Sequence, residues 1–153
     1  MRSLFGLVGW LAASLAAGFI GSRFPADEWY LALQKPSFNP PGYLFAPVWT
    51  FLYICMGVAA WLVWRSRGFS GAPLALGLFF AQLVLNALWS YLFFGAHRPM
   101  LAFVDITVLW VLILLTMLAF WKIRVPAGAL MIPYLAWVSF AAVLNLSIWR
   151  LNN

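Results

Sequence analysis

WYLALQKPSFNPPGYLFAPVW, residues 29–49, decides how the rest of the chain is read. It holds Lys35, Asn39, four prolines (Pro36, Pro40, Pro41, Pro47) and aromatics at Trp29, Tyr30, Phe38, Tyr43, Phe45 and Trp49. Proline removes N–H donors and turns the preceding residue away from helix. The middle of the stretch is therefore a stiff loop. Its flanks are apolar enough to lie in lipid. A connection this long, if ordered, reads as a lid or binding element. We expect it to cap a pocket between membrane helices.

Composition sets the class. Of 153 residues, 66% are hydrophobic and 8% charged, against about 25% charged in a soluble domain. At roughly 20 residues per span, the expectation is an all-α, polytopic membrane protein. It has five transmembrane helices in one domain over residues 1–153. The spans fall at about 3–21, 43–64, 72–94, 99–121 and 126–149, with the long loop at 22–43. The first run is read as a retained span and not a cleaved signal peptide, because it continues to Ile20. The +6 net charge sits at span ends, where it serves topology and lipid headgroups and not nucleic acid. Arg2, Arg65, Arg67, Lys122 and Arg124 outnumber Arg23, Lys35, Arg98 and Arg150, which favours an inside N-terminus. Cys55 is the single cysteine; it is expected in the core, with no disulfide and no metal site.

Periodicity then sorts the helix faces. Gly9, Ala13, Ala17 and Gly21 recur every four residues, and Gly77 and Ala81 form a similar pair. Such faces permit close helix approach, within the chain or against a second copy. Phe45, Trp49, Tyr53 and Met56 share one face of span two. Gln82, Asn86, Trp89 and Phe93 share one of span three. Tyr134, Trp137, Ala141 and Asn145 share one of span five. Amides in hydrocarbon need partners, so these faces should look into the bundle. Pro133 cannot bond to the Ala129 carbonyl, and a kink or local widening is expected there. Asp105 is the only acid within a span; it is either a functional group or a near-interface acid bonded to a neighbour or to water. His97, the only histidine, reads as a turn residue or a haem ligand.

Trp49, Tyr53, Asn86, Trp89, Tyr134, Trp137 and Asn145, roofed by Trp29, Tyr30 and the prolines, make aromatic walls with a few hydrogen-bonding groups. That inventory suits a flat apolar ligand. The chain offers no nucleophile–base pair, phosphate loop or clustered metal ligands, and one His, one Cys and one buried acid are too few for a protein metal site.

Three motifs carry a resemblance over essentially the whole chain. They are WYxxLxKPxFxPPxxxFxxVW (29–49), AQLxLNxxWSxxFF (81–94) and PYLxWxxFAxxLN (133–145). With them the chain resembles the TspO/MBR family of tryptophan-rich sensory proteins and translocator proteins, also called peripheral-type benzodiazepine receptors. The resemblance implies a homodimer of five-helix bundles with a ligand cavity under the first loop. It implies binding of protoporphyrin IX, haem-type tetrapyrroles, sterols, or isoquinoline carboxamides and benzodiazepines. No cofactor is required. The family's pocket residues carry over to Tyr30, Trp49, Asn86 and Trp137. Some bacterial members degrade protoporphyrin in light, which implicates Trp49 and Trp137 as catalytic residues. Two positions depart from the family pattern: Phe38 replaces a frequent Trp, and Leu146 follows Asn145 where the animal cholesterol motif has Tyr. The leading expectation is tetrapyrrole binding for porphyrin sensing, transport or disposal, in a bacterial cell membrane. The alternatives are a light-dependent porphyrin-degrading enzyme, a sterol or small-molecule transporter, and a stress-responsive interaction protein.

Overall fold

The computed structural model describes residues 2–153, and of Arg2 the backbone alone. The Arg2 charge counted above therefore lies outside the described residues. Among the described residues seven α-helices follow in order: α1 (Arg2–Ser22), α2 (Glu28–Ala32), α3 (Phe45–Gly71), α4 (Pro73–Ser90), α5 (Pro99–Ile123), α6 (Val125–Leu130) and α7 (Ile132–Leu151). A 3-10 turn, Gly42–Leu44, leads into α3, and a widened π turn, Tyr91–Gly95, ends α4. Among the described residues, five helical segments are long and apolar enough to cross a membrane. This is an all-helical, multi-pass integral membrane protein.

The second span runs further than its composition indicates. Arg65 and Arg67 lie inside α3, and the helical path breaks only at Gly68, with φ 67°. A left-handed residue is cheap only for glycine. The turn after it brings Phe69 back onto Trp10, with ring centroids 5.8 Å apart. Pro73 and Pro99 each open a helix, where a missing N–H leaves no bond unmade. Pro133 has the expected consequence in one of the two expected forms. The fifth span breaks at Met131, whose N–H bonds to the Gly128 carbonyl at 3.0 Å. This is a tightened turn. The widening occurs instead at Tyr91–Gly95, where the Ala96 N–H donates to the Tyr91 carbonyl at 2.6 Å.

The spans close a ring. α1 packs on α3 and α4, α4 on α5, α5 on α6 and α7, and α6 returns to α3. The end away from the long loop is dense: Ala59, Ala60, Val63, Phe79, Ile113, Phe120 and Ala127 are all 0% exposed. Phe79 and Phe120 stack there at 5.9 Å. Cys55 is buried and free.

The small-residue stripe on α1 divides. Ala17 is buried, and a side chain added at Gly21 would meet Ser90. Gly9 and Gly77 face open space, and Ala81 is exposed. The close contact between α1 and α3 depends on other small residues. Trp64 fills the space a side chain would take at Gly6, Tyr53 does so at Gly18, and Leu11 does so at Gly57.

Candidate ligand cavity

At the loop end the helices stand apart around a cavity of about 1120 Å³. That exceeds the roughly 300–1,000 Å³ of ordinary small-molecule sites. Trp49, Tyr53, Asn86 and Trp89 line it from the helices, and Tyr30 lines it from the roof. Pro40 and Pro41 contribute to its roof. Trp29 does not. It packs edge-on against Phe93 at 5.9 Å and stacks on His97 at 4.4 Å, pinning the roof from outside.

Polar side chains floor the cavity and satisfy one another. The Ser14 hydroxyl donates to the Tyr53 carbonyl at 2.6 Å. The Tyr53 hydroxyl donates to Asn86 Oδ1, and Asn86 Nδ2 donates to the Tyr134 hydroxyl oxygen at 2.7 Å. The Tyr134 hydroxyl in turn donates to Gln82 Oε1 at 2.7 Å. Ser14, Gln82, Asn86 and Tyr134 are all under 5% exposed. Buried polar groups are costly unless paired, and this chain pairs them across α1, α3, α4 and α7. Tyr134 therefore lines no cavity wall; it holds the floor.

Trp137 and Asn145 line a separate crevice of about 30 Å³. It shares Tyr30, Trp49 and Trp89 with the main cavity. Asn145 is bonded through both its oxygen and its nitrogen: it accepts from Trp89 Nε1 and donates to the Pro99 carbonyl, both at 2.9 Å. Trp137 Nε1 is buried with no hydrogen-bond partner. Trp49 joins the two spaces, 5.6 Å from Tyr53 and 6.2 Å from Tyr134 between ring centroids.

Two features of the site carry no sequence motif. The first is the wall given by α1: Leu15, Gly18, Phe19 and Gly21 line the cavity. These residues carry no chemistry, and only the glycines hint at close approach. The second is the strapping of the loop. Asp27 caps α2 by accepting from the Tyr30 N–H at 3.2 Å, and its Oδ2 lies 2.9 Å from His97 Nε2. The Tyr30 N–H, with His97 behind it, holds the Asp27 carboxyl below the ordinary carboxylate range. At the other end the Asn152 side chain grips Gln34: it accepts from the Gln34 N–H at 2.9 Å and donates to the Gln34 carbonyl at 2.8 Å. His97 is thus a roof strut and stands outside both spaces. Asp105 is 7% exposed, and its Oδ2 has no protein hydrogen-bond partner. Among the described residues no three His, Cys, Asp or Glu side chains come together to hold a metal ion.

The TspO/MBR family model matches residues 10–150. "Tryptophan-rich protein TspO" of Chlorobaculum tepidum is 50% identical over 143 residues, covering 90% of each chain. "Translocator protein" of Ovis aries is 41% identical, over 95% of this chain and 89% of its own. "Tryptophan-rich sensory protein" of Cereibacter sphaeroides is 40% identical, over 93% of this chain and 88% of its own. With its family match over nearly the whole length and its five-span bundle, this chain belongs to the TspO/MBR family.

Proposed function

We propose that this protein binds a tetrapyrrole, protoporphyrin IX or haem, in the cavity under the loop, and serves porphyrin sensing, transport or disposal. The observation that carries this reading is the cavity itself: about 1120 Å³, walled by Tyr30, Trp49 and Trp89. Its polar floor is already internally bonded. Such a floor asks little of a ligand, so contact area and ring stacking dominate binding. The names of relatives, one a sensory protein and one a translocator, favour sensing or transport over a purely structural role. Sterols and isoquinoline carboxamides are further apolar ligands for the same walls. The open Gly77 and exposed Ala81 offer a face for a homodimer. The membrane is that of a bacterial cell, by analogy with the bacterial relatives.

A second reading, light-driven porphyrin oxidation, draws on Trp49 and Trp137. An indole can exchange an electron with a photoexcited porphyrin, with dioxygen as the oxidant that takes the electrons the ring loses, and Trp49 stands in ring contact with two tyrosines. One experiment tests both. Purified protein is titrated with protoporphyrin IX by absorption, then followed by mass analysis in light and in darkness. Saturable binding supports the first reading; its absence overturns it. In Trp49→Phe and Trp137→Phe, affinity should fall by about tenfold or less, since stacking adds roughly 0.5–1.5 kcal/mol beyond burial. Light-driven loss should fall much further if the indoles carry it. No light-driven loss in the wild type removes the enzyme reading.

A further inference from the structure

Among the described residues one charged side chain lines the cavity, Lys35. It sits in the roof, beyond the aromatic walls. The chain has three acids in all, Asp27, Glu28 and Asp105. Asp27 is engaged by His97, and neither Glu28 nor Asp105 lines the cavity. The Lys35 ammonium is nevertheless held in place. It donates to the Leu33 carbonyl at 3.2 Å, more weakly to the Leu31 carbonyl at 3.4 Å, and lies 4.6 Å from the centre of the Tyr30 ring. An ammonium has three N–H donors. Two carbonyls leave one, on a cation whose position is fixed and whose charge meets no carboxylate among the described residues.

The roof has a second unsatisfied group close by in sequence. Residues 36–39 form a tight turn, closed by the Asn39 N–H donating to the Pro36 carbonyl at 3.1 Å. Lys35 precedes that turn and Asn39 closes it, and both line the cavity. Asn39 Oδ1 is buried with no partner. Asn39 Nδ2 donates weakly to the Pro40 carbonyl at 3.5 Å.

We propose that Lys35 is the specificity-determining residue of this cavity, selecting flat apolar ligands that carry a carboxylate and seating that carboxylate at the loop end. The inference rests on the tetrapyrrole reading for the ligand's body and goes beyond it in fixing charge and orientation. The walls bind the ring system and cannot tell an acid from its ester. A held ammonium can, because a charge-assisted hydrogen bond is lost when the acid is esterified. At a partly exposed site the discrimination should be roughly tenfold.

The test uses the full chain in phosphatidylcholine nanodiscs, with protein-free discs subtracted. Two acid–ester pairs are titrated: protoporphyrin IX with its dimethyl ester, and 1-pyrenebutyrate with its methyl ester. The expected result is a preference for the acid of about tenfold in each pair. Lys35→Met should abolish that preference while keeping ester binding, and Lys35→Arg should keep it. Equal binding of acid and ester by the wild type, or an unchanged preference in Lys35→Met, overturns the role of Lys35 whatever the porphyrins do. An acid preference in the pyrene pair with no porphyrin binding overturns the tetrapyrrole reading and leaves Lys35 standing. No binding in either pair overturns both. The wild-type comparison is decisive by itself should Lys35→Met fail to fold.

Discussion

The two ends of this bundle are both largely apolar and do opposite things. Away from the loop, alanine, glycine and valine let the helices close, and Phe79 stacks on Phe120 with nothing left between them. At the loop end, bulky aromatics hold the helices apart around the cavity. Two devices let that open end persist. The polar side chains between the spans are one another's partners, so the opening leaves few of them needing water. The roof is fastened from outside by His97 and Asn152. Packing density here follows side-chain size and polar pairing, not hydrophobicity.

The sharpest way to break the contrast is to disturb the closed end. A Cβ at Gly128 would stand 2.8 Å from the Trp121 Cα, a backbone atom that cannot step aside. Gly128→Leu should cost about 3 kcal/mol and lower the thermal midpoint in detergent by several degrees. Gly9→Ala, which meets open space, should not lower the midpoint. Equal midpoints for the two would mean the closed end is not close-packed.

A smaller effect is expected at the floor. Tyr134→Phe leaves Asn86 Nδ2 and Gln82 Oε1 without their shared partner. Buried interhelical hydrogen bonds in membranes are worth less than the loss of a buried partner in water, so about 1 kcal/mol is expected. The aromatic wall survives, and ligand affinity should change less than it does in Trp49→Phe. A larger affinity loss in Tyr134→Phe would make the network part of recognition.

The smallest effect belongs to the roof. His97→Ala should leave the thermal midpoint unchanged and raise amide exchange over residues 27–33. The pH dependence follows from Asp27, whose folded-state pKa lies below its unfolded value. Its contribution is fully present above the ordinary carboxylate value of about 3.9. It is lost as pH falls through the lowered folded value. Exchange at Tyr30, corrected for its intrinsic rate, should therefore hold steady down to about pH 4 and rise below. A rise between pH 7 and 5 would trace the strap to another group.

The sequence determined the five spans, the proline loop over the pocket and the faces that carry Trp49, Asn86 and Trp137. Twenty-residue apolar runs and a 3.6-residue period leave little freedom in lipid. It also marked Pro133 as a break, since a missing N–H acts locally. What the period does not say is which neighbour a face will meet. Tyr134 and Asn145 lie on one face of the fifth span, yet one holds the floor under the main cavity and the other bonds Trp89 beside the crevice. Asp27 meets His97 across 70 residues and Gln34 meets Asn152 across 118. α1 became a cavity wall through residues with no chemistry to flag them. These pairings were decided by the tertiary structure, because helix order around the ring and the exits at Gly68, Tyr91–Gly95 and Met131 set the distances between faces, and no local property of the chain encodes those distances.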